Sequence, residues 1–213
     1  MPSRFILTGA PGAGKTALIR RLEALGHEIV EEAATDVIAL AQADGLERPW
    51  ESPGFIADIA ALQGWREAAP MRSDHRFTDR SVFCTLALAE WLGYPVPAEL
   101  HGTAERLVAS GWFERRVFLI AQLGFIENTQ ARRISLEEAT RFGAVHEAVY
   151  ARYGFELVRV PPATISERAA MILAAAGQAA GRTLRSRMRT RSACEKGFDS
   201  LGNSSLPPGG SSA

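Results

Sequence analysis

The sequence predicts an α/β protein, a three-layer α/β/α sandwich built on a five-stranded parallel sheet. Two observations predict it. Five short apolar runs alternate with stretches whose apolar residues recur at helical spacing, which indicates an open parallel sheet covered on both faces. The first run also passes through a glycine-rich loop straight into a helical pattern, giving the order strand, loop, helix.

The elements follow in order. Arg4 to Thr8 reads as a buried strand, and Ala17 to Leu25 as a helix stopped by Gly26. His27 to Val30 is a short second strand. Ala33 to Ala43 is a helix closed by Asp44-Gly45, and Glu47 to Pro53 a loop. Phe55, Ile56, Ile59 and Leu62 place a helix over Gly54 to Ala69, ended by Pro70. Arg76 to Thr78 is a third strand, ending on Asp79-Arg80-Ser81. Apolar helix Val82 to Leu92 stops at Gly93, and helix Pro97 to Ser110 at Gly111. Arg116 to Ile120, β-branched and aromatic, is the most strand-like run. After a polar loop over Glu127 to Ile134, Ser135 to Glu138 is a capping box that opens a helix to about Tyr153. Phe155 to Val160 is the last strand. Thr164 to Glu167 is a second capping box, for a helix to about Ala180.

Composition is that of a globular protein, 46% hydrophobic and 23% charged over 213 residues. We expect one domain at residues 1–181 and a basic tail at 182–213, whose end has the composition of a disordered segment. The formal net charge is zero but unevenly spread. Six basic and two acidic residues lie from Arg182 onward, so the tail is +4 and the body −4. An acidic body argues against nucleic-acid binding. The two cysteines, Cys84 and Cys194, have no paired spacing, which argues against a disulfide framework or a zinc site, and Cys84 reads as a small core hydrophobe. With no leader and no apolar run long enough for a membrane span, a cytoplasmic location without membrane association is expected.

The glycine-rich loop carries the chemistry. Gly9, Ala10, Pro11, Gly12, Ala13, Gly14, Lys15 and Thr16 fit the pattern G-x-x-x-x-G-K-[ST] at every fixed position, and Ala17 continues into the helix. Glycines let consecutive backbone N–H groups turn toward phosphate oxygens, and the helix N-terminus adds partial positive charge. Lys15 is expected on the β- and γ-phosphates and Thr16 on Mg²⁺. The sequence holds 22 Arg and only two Lys, Lys15 and Lys196. A compact ammonium suits a backbone cradle that a planar guanidinium would not.

In parallel α/β sheets ligands bind beyond the carboxyl ends of the strands. Here those ends carry Glu31-Glu32 after the second strand, Asp79-Arg80 after the third and Arg132-Arg133 in the loop after the fourth. A phosphoryl transferase needs such parts: an acid near Mg²⁺ (Asp79), a carboxylate for the acceptor hydroxyl (Glu31 or Glu32), and arginines for the transferred group (Arg80, Arg132, Arg133). Each has a plainer alternative. The glutamates suit a solvated helix start, Asp79-Arg80 a local ion pair, and Arg132-Arg133 a basic surface turn. Gln63 is a candidate to face a substrate, or an exposed amide. The four histidines lack metal-ligand spacing and read as surface or satisfied core residues. Trp50, Trp65, Trp91 and Trp112 read as core or loop packing.

The loop Gly9 to Thr16, the acids after the second strand, Asp79-Arg80-Ser81 and the Arg-Arg pair together resemble the P-loop kinases of the P-loop NTPase superfamily, including deoxynucleoside kinases and nicotinamide riboside kinase domains. Over about residues 4–176 the chain is similar to small bacterial AAA-labelled ATP-binding proteins. The shared stretches include Val30 to Ala34, Gln63 and Tyr153 to Pro161. One departure stands out. Relatives often have Asp-Arg-Gly with another acid one turn into the helix, where this chain has Ser81 and Cys84. The resemblance implies a P-loop NTPase fold with ATP and Mg²⁺ as cofactors. It implies phosphoryl transfer and does not fix the acceptor, which we expect to be a small metabolite, nucleoside- or nucleotide-like. The alternatives are an ATPase or regulatory nucleotide-binding protein without such an acceptor.

Overall fold

A computed structural model describes residues 2–123 and 135–178. By its contacts the chain divides into a unit at Met1–Ala176, which holds the sheet, and a second at Gly177–Ala213, of which only residues 177 and 178 are described. The Arg132-Arg133 pair and the basic tail lie outside the described residues.

Among the described residues five strands form one parallel sheet: β1 (Ser3–Thr8), β2 (Glu28–Val30), β3 (His75–Asp79), β4 (Arg116–Ile120) and β5 (Glu156–Val160), in the order β2-β3-β1-β4-β5. The helices are α1 (Lys15–Ala24), α2 (Ala34–Ala43), α3 (Phe55–Glu67), α4 (Val82–Leu92), α5 (Ala98–Ala109), α6 (Leu136–Arg152) and α7 at 165–178, with a 3₁₀ turn at Pro49–Glu51. The expected fold class and all five strands are present. The helix expected from Ala17 begins instead at Lys15, because Gly14 adopts φ 78° and starts the turn two residues earlier.

Strand order decides which face each helix covers. The step from β1 to β2 runs one way along the sheet; the steps to β3, β4 and β5 run the other way. Since parallel crossovers are right-handed, α1 lies on one face and α2 to α6 on the opposite one. β1 sits in the middle, and its Phe5, Ile6 and Leu7 have no exposure. The larger core fills the second face. There Phe83, Leu86 and Ala87 of α4 pack on Ile56 and Ile59 of α3, Leu100 of α5 and Tyr150 of α6. Phe83 meets Phe155 edge-on at 4.8 Å. Each such large side chain contributes about 1.5–3 kcal/mol on burial, so α4, buried along most of its length, is the pillar of this face.

Both expected capping boxes form. Ser135 Oγ accepts from Glu138 N at 3.1 Å while Ser135 N donates to Glu138 Oε2 at 2.9 Å. Thr164 and Glu167 repeat the exchange at 3.3 and 3.0 Å. Trp65 corrects an expectation. It is 76% exposed, because α3 buries Phe55, Ile56, Ile59, Gln63 and Glu67, and helical spacing turns position 65 away from that stripe. Among the described residues no helix is long and apolar enough to cross a membrane.

Candidate active site

Because the sheet is parallel, the ends of β1, β2, β3 and β4 share one edge. Chain from β1 leaves to one face and chain from β3 to the other, so a crevice opens between them. The glycine loop lies in that crevice.

The loop is fixed by its own backbone and by three side chains. Gly9, Gly12 and Gly14 have φ of 138°, 80° and 78°. At Gly9 the requirement is also spatial: a Cβ there would lie 2.5 Å from the carbonyl oxygen of Ile120. Gln122 Nε2 donates to Pro11 O at 3.1 Å, and Arg168 Nη1 to Ala13 O at 3.0 Å. Holding those two carbonyls sends the N–H groups of Gly12 and Gly14 the opposite way, since the trans peptide sets them anti. Lys15, buried, curls over the loop and donates to Gly9 O at 2.9 Å and Ala10 O at 3.0 Å. Thr16 is exposed in the first turn of α1, followed by exposed Ala17.

The two glutamates after β2 part company. Glu31 pairs with Arg20 at the surface. Glu32 turns inward, its side chain 13% exposed, and its Oε1 lies 2.7 Å from Arg80 Nε. Thr35 Oγ1 donates to its other oxygen at 3.3 Å, and Arg66 Nη1 donates to its carbonyl at 2.7 Å. Arg66 is itself paired with Asp36.

Asp79 ends β3, buried, level with Leu7 of β1. Arg80 follows with φ 67°, a left-handed conformation that costs a non-glycine residue about 1–2 kcal/mol. Its N–H donates to Leu7 O at 2.9 Å, which ties the strained residue to the central strand. Its guanidinium is held between Glu32 and His146, with Nη1 3.0 Å from His146 Nε2. Burial opposes the charge on Arg80, but Glu32, Cys84 and Asp79 outweigh it and raise its pKa above the ordinary arginine value. His146 Nδ1 lies 2.9 Å from Phe142 O. A carbonyl only accepts, so Nδ1 carries the proton and Nε2 is free to accept from Arg80. Burial first, then the Arg80 charge, lower the His146 pKa to about 3, so the ring is neutral.

Tyr150 props the start of α4. Its hydroxyl lies 2.9 Å from Ser81 Oγ and 3.2 Å from Cys84 Sγ, and Cys84 in turn is 3.4 Å from Thr8 Oγ1. Burial first, then Cys84, raise the Tyr150 pKa well above normal, so it stays a neutral hydroxyl. Where an acid was sought, a buried thiol therefore packs.

From the loop a cavity of about 1250 Å³ runs between α2, α3 and α4. Pro11, Glu32, Arg80 and Ser81 line its loop end. Trp50, Phe55, Ile59, Trp91 and Phe142 make apolar and aromatic walls, and Gln63 is a polar point among them. Glu32, Arg80 and Gln63 are thus brought together around one space with the glycine loop, and Glu31 is not. His146 and Arg168 were missed as site residues. Both left a trace: each is a polar residue on an otherwise apolar helical stripe, His146 with Ala139, Phe142 and Val149, Arg168 with Ala169, Ile172 and Ala176. Among the described residues no cluster of three His, Cys, Asp or Glu forms a metal cage. The oxygens suited to Mg²⁺ are the Thr16 hydroxyl and the Asp79 carboxylate, a set that fits an ion completed by phosphates and water.

Solved structures share this architecture. NadR protein in complex with NAD and AMP-PNP is 18% identical, with a TM-score of 0.60, over 84% of this chain and 50% of that one, so the chain spans half of its length. Deoxyadenosine kinase from M. mycoides with bound dATP is 12% identical, with a TM-score of 0.53, over 82% of this chain and 99% of that one. Shikimate kinase from Acinetobacter baumannii with shikimate is 17% identical, with a TM-score of 0.52, over 81% and 92%. These likenesses show the fold, that of P-loop kinases. No curated protein matches the sequence significantly. The family model described as AAA domain matches residues 4–168, most of the chain. The chain belongs to the AAA domain family and carries its P-loop on a kinase-like fold.

Proposed function

We propose that this protein is an ATP- and Mg²⁺-dependent kinase of a small, nucleoside- or nucleotide-like metabolite. The observation that carries the reading is the pair of half-buried Glu32 and buried Arg80, which stands where the large cavity meets the phosphate loop. A buried ion pair adds little net stability, since desolvation offsets its attraction. Its position suits chemistry better: a carboxylate to orient and deprotonate an acceptor hydroxyl, and a guanidinium to meet the transferred group.

Position supports the remaining roles. The amides of Gly12 and Gly14 and the Lys15 ammonium bind the donor phosphates, with Lys15 exchanging its two carbonyl partners for phosphate oxygens. Thr16 and Asp79 hold Mg²⁺ or its waters. Bound MgATP supplies the phosphoryl group and the metal charge that offsets it. Glu32 orients the acceptor hydroxyl, and the aromatic walls exclude water around it. Arg132 and Arg133, which lie between β4 and α6 in the sequence, are proposed to neutralise the transferred phosphoryl group. NadR is solved in complex with NAD and AMP-PNP, deoxyadenosine kinase with dATP and shikimate kinase with shikimate, which supports a small-molecule acceptor.

The test is ATP turnover with and without a panel of nucleosides, nucleotides and vitamins. The expected result is near-background turnover alone and at least a ~100-fold rise with one acceptor, the range a positioned base supplies. Equal, rapid turnover without any acceptor overturns the kinase reading in favour of an ATPase. A Glu32→Gln variant is expected to keep nucleotide binding and lose most of the acceptor-dependent rate.

A further inference from the structure

Gln63 stands on a partition. It lines the large cavity, and it also lines a second hollow of about 540 Å³ between α3 and α5. Glu67, one helical turn on, lines the second hollow and not the first. Both side chains are buried, at 3% and 6% exposure, and Gln63 Nε2 donates to Glu67 Oε1 at 3.0 Å. A carboxylate can only accept, so it draws the amide nitrogen toward the second hollow and leaves the amide oxygen for the first.

We propose that Glu67 sets acceptor specificity by pinning the Gln63 amide with its oxygen toward the large cavity, which selects an acceptor ring bearing an amino group. This rests on the reading of that cavity as a site for a nucleoside-like acceptor. The group that protrudes from such a ring meets the wall first. An exocyclic amino group donates to Gln63 Oε1. An oxo group there sets two acceptors against each other and leaves a buried pair unmade, the circumstance in which polar sites reject analogues most strongly.

The pin is titratable. Glu67 faces Arg4 of β1, which is stacked 3.9 Å over Trp112, and Arg76 of β3, whose Nη1 donates to Glu67 O at 3.3 Å and which is paired with Glu28 of β2. Glu99 of α5 lines the same hollow. Burial is the leading effect and raises the Glu67 pKa to about 7, against the pull of Gln63, Arg4 and Arg76. Once protonated, the carboxyl becomes a donor and is best met by the amide oxygen. Gln63 then turns over and offers its NH₂ to the acceptor.

The experiment is calorimetric binding of cytidine, uridine, adenosine and inosine, without ATP, at about pH 6 and about pH 8, to the unmodified chain and to Glu67→Gln. The expected result is preference for the amino member of each pair by about tenfold or more at the higher pH. It should narrow or invert at the lower pH and be independent of pH in the variant. The pH series needs no substitution, so a variant that fails to fold does not block the test. Equal binding of the amino and oxo members, a pH-independent preference in the unmodified chain, or no binding of any of the four overturns the proposal. ATP turnover with the same nucleosides is read separately. Binding with the expected preference but no turnover removes the kinase reading and leaves the role of Glu67 standing.

Discussion

Arg80 donates from Nη1 to Nε2 of His146 across 3.0 Å, in a bond that exists only while the imidazole is neutral. The same arginine is tied to Glu32 on its other side. One proton on His146 would place two cations in contact and loosen the side chain that faces the cavity.

That bond gives a pH prediction. The folded pKa of His146 is lowered to about 3, from an unfolded value of 6.5. Its contribution to stability is therefore complete above about pH 6.5 and is lost as pH falls toward 3. A His146→Gln variant, which can still accept from Arg80, is expected to lose less stability than the unmodified chain between pH 7 and about pH 4.5. Urea unfolding at those two pH values checks it; equal losses in both chains would refute the assignment.

Glu67 works in the opposite sense. Its folded pKa is raised, from 4.5 to about 7, so the proton it retains stabilises the fold below pH 4.5, and that contribution is lost as pH rises through 7. Glu67→Gln copies the protonated form. Its stability relative to the unmodified chain should rise between about pH 4.5 and 8, by up to about 3 kcal/mol at ~1.4 kcal/mol per pKa unit. Denaturant midpoints across that range measure the difference, and a flat difference would show that Glu67 ionises as an ordinary carboxyl.

Lys15 makes its contacts through a compact ammonium reaching two carbonyls at 2.9 and 3.0 Å. Lys15→Ala is expected to abolish the rise in melting temperature caused by ATP and Mg²⁺, which reports binding to the folded state. Lys15→Arg should lose most of it too, because a planar fork does not fit the same cradle. An unchanged melting shift in Lys15→Ala would sink the phosphate-loop assignment.

Two glycines separate backbone strain from a steric requirement. Gly9 and Gly26 both have positive φ, but a Cβ on Gly9 meets Ile120 O at 2.5 Å whereas one on Gly26 meets nothing within 4 Å. Gly26→Ala should cost about 1–2 kcal/mol, the left-handed penalty alone. Gly9→Ala should cost more, about 3 kcal/mol, the upper range for a clash with fixed atoms, and weaken nucleotide binding as well. Thermal melts of the two variants, with and without ATP, compare them directly.

Much of this site was legible in the sequence because its signals are local. A glycine loop between a strand and a helix needs no partner to be seen, and the ends of parallel strands converge by topology. That reasoning reached Lys15, Asp79, Arg80, Gln63 and the glutamate pair. It could not choose between Glu31 and Glu32. Successive residues leaving a strand point to opposite sides, and the choice is made by Arg20 and Arg80, 11 residues before Glu31 and 48 after Glu32. It missed His146 for a related reason. A histidine on a helical stripe shows where it is buried, but its partner arrives from 66 residues away. Glu67 was invisible as a site residue because its effect depends on desolvation by α5 and on Arg4 and Arg76 from two other strands.

The sheet ends on β2, a strand of only three residues, on one side and on β5 on the other. Glu28 begins the first edge and is clamped by Arg76; Glu156 and exposed Arg159 stud the second. A short edge and a charged edge are both poor templates for an incoming strand. Growth of the sheet by addition of a second copy is disfavoured at both margins. Fibril-type aggregation through these two edges is thereby expected to be slow, although Trp65 and Leu40 are exposed.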